Sequence, residues 1–330
     1  MDNRNFGAIR SISSFLLGCI WILLTLGIST SASAQPVWTK SPAPAPVPLS
    51  GFYLGLGGSY NSANFDVQHV FAVGTSDVFD SGGTLVQQGS ADGPPAPVFM
   101  DPRTSFAPSF QGGYFQHFEN SKWLWGAKFS YSYLNITSTT RNALIPQVGS
   151  FTTVPGGVVT PFTGNAYIDY SQTTVRHQMA FMPFIGHSFE RIFVYVGAGP
   201  TLSQLRTDEN GLIGFADISG THTNVSGAPQ NFSGTKWVYG GAATIGATYF
   251  FDRSWFLDIN YTYAMTRNHT VDFSGTFNNP NGLNNTTLTG TLAEKVKPPS
   301  LLMAAKNSAF VLPGSLRASC QDTPTSPVPG

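Results

Sequence analysis

The stretch "RIFVYVGAGPTLSQ", Arg191 to Gln204, alternates as a β-strand does, yet neither of its faces suits bulk water. Val194, Val196, Ala198, Pro200 and Leu202 share one parity; Tyr195, Gly197, Gly199, Thr201 and Ser203 share the other. A half-buried strand of a soluble protein places Lys, Glu or Arg on its wet side. Here the second face is small and mildly polar, and no charge follows until Arg206. Such a strand expects lipid against its large face and a narrow, crowded interior against its small one.

The rest of the composition agrees. The chain has 330 residues, with 17 basic and 17 acidic side chains and no net charge, so it offers no electrostatic case for nucleic acid. Charged residues make up 10% of it, well below the quarter or so usual for soluble chains. Gly (35 residues) and aromatics (13%) take their place, which suits strands joined by polar loops. Cys19 and Cys320 are the two cysteines, and Cys19 lies in an N-terminal apolar run. Thiol–disulfide catalysis and a Cys-ligated zinc site are thereby excluded.

Residues 1–34 read as an export signal. Arg4 and Arg10 supply the positive segment, Phe15–Ile28 the apolar one, and Ala32 and Ala34 an A-x-A cleavage site. The apolar core, at ~14 residues, is short of the ~20 that cross hydrocarbon as a helix. Residues 35–50 form a Pro/Ala-rich, extended lead-in. No later apolar run approaches spanning length, so residence in a membrane requires a closed barrel with no bare backbone in lipid.

Seven strand-like segments follow: Gly51–Val67, Thr104–Phe118, Lys122–Thr137, Tyr167–Phe189, the opening stretch, Lys236–Phe251 and Trp255–Phe273. Their connectors alternate strictly between long and short. Glu119–Ser121, Glu190–Arg191 and Asp252–Ser254 are tight polar turns; Gln68–Arg103, Ser138–Ala166 and Thr207–Thr235 are long and rich in Gly, Asn and Thr. In an up-and-down meander this gathers every short turn at one end and every long loop at the other, as in transmembrane barrels.

Parity extends the reading. Trp123, Trp125, Phe129, Tyr131 and Tyr133 share a face opposite Lys128, Ser130 and Ser132; Trp255, Leu257, Ile259, Tyr261, Tyr263 and Met265 oppose Asp258, Asn260 and Thr262. The large faces are expected toward lipid and the small ones inward. Phe115, Phe118, Trp123, Trp125, Phe189, Phe193, Phe250, Phe251, Trp255 and Phe256 flank the three short turns and are expected to form an interfacial aromatic girdle. Pro183 and Pro200 each mark a bulge or break, since proline removes a ladder hydrogen bond.

The signal ending "SASA", the strand "GFYLGLGGSY" and the units "FERIFVYVGAGPTLS" and "FDRSWFLDINYTY" resemble the small outer-membrane barrels of the OmpA-like and opacity type. The resemblance covers roughly residues 51–290 and is diffuse. It implies an all-β, antiparallel up-and-down transmembrane barrel of about eight strands in the bacterial outer membrane. It also implies assembly by the barrel-assembly machinery, contact with outer-membrane lipid and lipopolysaccharide, and no catalytic residues. The barrel is expected over 51–292, with 293–330 an irregular tail. Thr286–Leu292 begins like an eighth strand; then Pro298 and Pro299 interrupt and no terminal aromatic follows. The last strand is accordingly expected to be altered or truncated near Leu292, through a changed reading frame or gene end. The alternative is a short closing strand over Thr286–Val296.

The functional expectation is a structural or surface-interaction protein, adhesive or immunogenic, that meets an extracellular partner through its long loops. The alternative is a narrow porin-like pore for ions or small solutes. Lys128 and Asp258 lie at similar heights on the inward parity and form a candidate interior ion pair; Gln111, Arg176 and Asn260 are further candidate lumen residues. The pair is either a gate or a structural tie inside a filled barrel. His177, His187 and His269 have no matched Ser and acid partners, so no enzyme, cofactor or metal site is expected.

Overall fold

The computed structural model describes residues 47–311, apart from 66, 219, 253, 254 and 298–300. The expected signal segment and most of the lead-in lie outside the described residues, as do residues 312–330. The strands are β1 (Ser50–Phe65), β2 (Gln68–Phe79), β3 (Leu85–Asp92), β4 (Ala96–Val98), β5 (Arg103–His117), β6 (Trp123–Thr153) and β7 (Val159–Ser188). They continue with β8 (Ile192–Ile218), β9 (Thr221–Asn224), β10 (Gln230–Phe250), β11 (Phe256–Thr266), β12 (Val271–Asn279), β13 (Thr287–Lys297) and β14 (Leu301–Val311).

Eight of them close a ring in the order β1, β5, β6, β7, β8, β10, β11, β14, every neighbour antiparallel. A row of paired residues followed around the ring, from Ser132 through Ser109, Gly57, Ala309, Asp258, Thr248, Phe193 and Ser188, returns to β6 at Lys122, ten residues below its start. That stagger in an eight-strand ring tilts the strands by about 40° and leaves an interior that side chains fill.

The closing strand corrects the sequence reading of the C-terminal region. β14 joins the two ends of the meander, pairing with β1 from Gly55↔Val311 to Phe65↔Leu301 and with β11 from Leu257↔Phe310 to Met265↔Leu302. The ring thus has its closing strand beyond Leu292, which leaves the expected altered or truncated last strand without support, and residues 301–311 are strand rather than irregular tail. Leu301, Met303 and Ala305 point inward and are buried, while Lys306 is exposed between Tyr60 and Tyr261 on the neighbouring strands. Its alternation is weak because large and small side chains mix on both parities, with Ala304, Lys306 and Ser308 interrupting the outer face after Leu302. Residues 287–297 do form a strand, as the alternative held, but β13 pairs with β2 and β12 and closes nothing in the membrane.

The long connectors are not loose loops. β6 and β7, 31 and 30 residues long, are about three times the 9–11 residues that cross a membrane as a tilted strand. Beyond the ring the upper half of β6 also pairs with β3, from which the sheet runs on through β2 and β13 to β12. Facing side chains bring β12 against the top of β10: the Phe232 and Phe273 rings stack at 5.8 Å, and Gln230 Nε2 donates to Thr276 O at 3.0 Å. Ser138–Ala166 and Thr207–Thr235, expected as loops, are thus mostly sheet with a core of their own, including Val70, Ile145, Ile168, Phe273, Leu292 and Val296.

Outside, large apolar side chains form the belt that the parity predicts: Val194, Val196, Phe129, Ile185, Ile245, Ile259 and Tyr263 are all exposed. The belt runs on β6 from Trp123 to Tyr133, roughly 25 Å of height at ~3.3 Å per tilted residue, which matches outer-membrane hydrocarbon. The row Tyr133, His177, Gln204 and Trp237 marks its upper rim, and the His177 ring stacks on Trp237. At this rim both β6 and β7 are bulged, and Asn135 there takes φ 45°.

The expected girdle divides in two. Phe118, Trp123, Trp125, Phe189, Phe251 and Trp255 are exposed at the short-turn end. Phe115, Phe193, Phe250 and Phe256 point inward and pack with Leu124, Phe184 and Tyr195 as an aromatic plug across that mouth. They stand one residue out of phase with the exposed ones, so pleat decides their face. Pro183 and Pro200 lie on adjacent strands, where the β7–β8 ladder has no residue pairs between Ala180↔Thr201 and Phe184↔Gly197; the register is unchanged across this break.

Candidate functional site

β6 and β11 stand opposite each other in the ring, three strands separating them either way round. Lys128 on β6 and Asp258 on β11 both point inward and meet across the lumen, with Lys128 Nζ 3.6 Å from Asp258 Oδ2 and both side chains almost wholly buried. Tyr195 on β8 stands between them. Lys128 Nζ donates to the Tyr195 hydroxyl at 2.7 Å, and that hydroxyl donates to Asp258 Oδ1 at 2.9 Å. The ammonium also lies 4.8 Å from the centre of the Tyr195 ring.

Asp258 is otherwise saturated. Gln111 Nε2 donates to it at 3.1 Å, Asn260 Nδ2 at 2.8 Å and Thr248 Oγ1 at 2.9 Å. Asn260 Oδ1 in turn accepts from Asn307 Nδ2 at 2.9 Å and from Thr262 Oγ1 at 3.2 Å. Five strands, β5, β6, β8, β10 and β11, thus converge on one carboxylate, and β14 joins through Asn307. A buried charge is tolerable only when paired and hydrogen-bonded in this way.

Of the residues expected in the lumen, Lys128, Asp258, Gln111 and Asn260 come together in this layer. Arg176 does not: it is the extra residue of the β7 bulge between Val175 and His177, half-buried, and makes none of the layer's bonds. Sequence reasoning overlooked Tyr195 and Thr248. Tyr195 could have been found, because a lone phenol on a face otherwise made of Gly, Thr and Ser needs a partner for its hydroxyl.

The layer lies directly above the aromatic plug. Between Asp258, Thr248, Tyr195 and the plug remains a cavity of only 10 Å³, no larger than one water. Above the layer, Leu134, Ile136, Val175, Leu205, Leu301 and Met303 fill the barrel again.

A second buried acidic group sits five residues above the Gln204 row, outside the membrane-spanning segments. Glu209 on β8 accepts from Ser171 Oγ at 2.7 Å and Gln68 Nε2 at 3.5 Å. Burial pushes its carboxyl up to about 8. Glu294 on β13 is 2% exposed, and burial, then the charge of Glu209, holds its carboxyl well above the usual range.

The histidines are dispersed. His177 Nδ1 lies 2.8 Å from the Tyr131 hydroxyl on the lipid face, and His187 packs edge-on against Trp123. His117 Nε2 is 2.8 Å from Ser188 Oγ, but its Nδ1 faces the carbonyl of Leu49, where a triad would place a carboxylate.

Outer membrane protein P1 of Coxiella burnetii is 27% identical over 247 residues, which is 74% of this chain and 79% of that protein. Among solved structures, OprG of Pseudomonas aeruginosa is 10% identical (81% of this chain, 97% of that chain, TM-score 0.27). The neisserial surface protein NspA is 12% identical (75% and 97%, TM-score 0.22). Ail, the attachment invasion locus protein of Yersinia pestis, is 12% identical (73% and 97%, TM-score 0.20). The family described as outer membrane protein beta-barrel domain matches residues 22–293, and the chain belongs to that family as a bacterial outer-membrane β-barrel protein.

Proposed function

We propose that the protein is a non-enzymatic, non-conducting barrel whose work is structural and surface-interactive, done by the strands that rise above the membrane belt. One observation carries this reading. The Lys128–Tyr195–Asp258 bridge spans the lumen at mid-belt above an aromatic plug, and the cavity between them holds 10 Å³. A hydrated ion does not fit there, so the sheet projecting from the cell is the part left to meet a partner. Reconstitution of the full chain in planar bilayers tests it. A silent membrane at protein levels where a known porin conducts is the expected result; stepwise conductance from the wild-type chain overturns it.

A second reading, a narrow pore for ions or small solutes, draws on the same pair. Its two members come from opposite walls, so removal of one opens the constriction at its centre. Lys128→Ala that conducts under conditions where the wild-type chain gates open and shut supports a pore; silence from both supports the closed barrel.

A further inference from the structure

The interior of the extracellular half holds two carboxyl groups with no cation beside them, among the described residues, to balance the charge each gains on ionising. Glu209 and Glu294 are 0% and 2% exposed, and neither makes an ion pair among the described residues. Three of their four oxygens, Glu209 Oε2 and both of Glu294, lack a hydrogen-bond partner. The charge that acts on Glu294 is that of Glu209 and the one that acts on Glu209 is that of Asp208, all of one sign.

A further polar atom faces the same interior. Thr207, two residues from Glu209 on the inward parity of β8, is 1% exposed with an unpartnered hydroxyl. Gln68 brings an amide oxygen whose one bond is a long 3.4 Å contact from Thr173. These donors are all hard oxygens, two of them anionic, with no nitrogen or sulfur ligand in the set.

We propose that Glu209 and Glu294, helped by Thr207 and Gln68, form a binding site for one hard divalent cation of the calcium class inside the extracellular half of the barrel. Such an ion takes six to eight oxygen ligands in flexible geometry, roughly 2.3–2.6 Å away, and accepts carboxylate, hydroxyl, amide oxygen and water together. Softer metals favour imidazole or thiolate. The bound ion ties β8 to β13, two strands of the projecting sheet that share no backbone ladder. It therefore stiffens the surface that the proposed function offers to a partner, while resting on residues separate from the lumen bridge.

The test uses the full chain refolded in detergent, with the SDS-resistant cold band on a gel as proof of folding. Calcium chloride is titrated calorimetrically into the chelator-stripped protein at mildly alkaline pH, with magnesium chloride in a parallel arm. One calcium per chain is expected. Its affinity should fall by about tenfold or more in Glu209→Gln and in Glu294→Gln. It should be unchanged in Asp272→Asn, which removes an exposed acid paired with Lys295. Calcium should also raise the thermal midpoint of the wild-type chain and not of the two Gln variants. Absence of saturable binding by the wild type overturns the site, as does binding that survives both Gln variants; tighter magnesium than calcium overturns the ion class. Conductance is not read here, so failure of this site and failure of the closed-barrel reading are distinguishable.

Discussion

Lys128 Nζ and Asp258 Oδ2 stand 3.6 Å apart although their strands face each other across the full width of the ring. The contact spans the lumen and is bridged by the Tyr195 hydroxyl, so it ties opposite walls together. Neither charge has a route to water, which makes each dependent on the other.

Removing one partner should therefore be worse than removing both. Lys128→Met leaves Asp258 buried and uncompensated, at a cost of about 3–5 kcal/mol. The double change Lys128→Met with Asp258→Leu should recover much of that loss. Urea unfolding followed by tryptophan fluorescence measures it; a double variant as unstable as the sum of the singles would refute the coupling.

Gly246 is a contact point for the bridge. A Cβ there would lie 2.5 Å from the Tyr195 oxygen and 2.8 Å from Asn260 Cβ. Gly246→Val should displace the phenol and destabilise the barrel by about 1–3 kcal/mol. The effect should shrink in a Tyr195→Ala background, where the hydroxyl and the ring carbon Cζ, 2.6 Å from the added Cβ, are both gone. Equal losses in both backgrounds would show that the valine acts elsewhere.

Closure by β14 is testable with one proline. Ala305 is paired with Asn61 on one side and Thr262 on the other, so it sits in a strand with neighbours on both edges. Ala305→Pro removes its N–H from a ladder in lipid, where water cannot replace the bond. The variant should lose the SDS-resistant cold band. Proline at Ser81, a residue of the exposed turn between β2 and β3, should keep it.

Glu209 gives the pH dependence of the chelator-treated protein a definite sign. Its folded carboxyl titrates at about 8 against an ordinary 4.5, so the folded state holds a proton that the unfolded chain has released. Its contribution is fully present below pH 4.5 and is lost as the pH rises toward 8. Denaturant midpoints should fall across that window. Glu209→Gln, which cannot ionise, should flatten the slope, and an unchanged slope would show that another group carries it.

Much of the barrel could be read from residue order because lipid constrains each strand locally. Large apolar residues at alternate places, as in Trp123 to Tyr133 with Ala127 the one small member, define the wall facing hydrocarbon whatever the neighbours are. The alternation of "ER" and "DRS" turns with long connectors set the up-and-down order in the same way. The inward placement of Lys128, Asp258, Gln111 and Asn260 followed from parity alone.

Pairing across the sequence was decided only in three dimensions. Leu301–Val311 becomes a strand because the edges of β1 and β11 each need a ladder partner in lipid, a demand invisible in its own irregular pattern of large and small side chains. Arg176 left the expected face because a bulge at the membrane rim broke the count. The long connectors became sheet because β6 and β7 run on above the belt and template their neighbours. Glu209 and Glu294 lie 85 positions apart in sequence, and nothing local to either predicts that they share one interior. Local alternation is a one-residue property of the solvent on each side; which distant strand or charge completes a row depends on how the whole sheet closes.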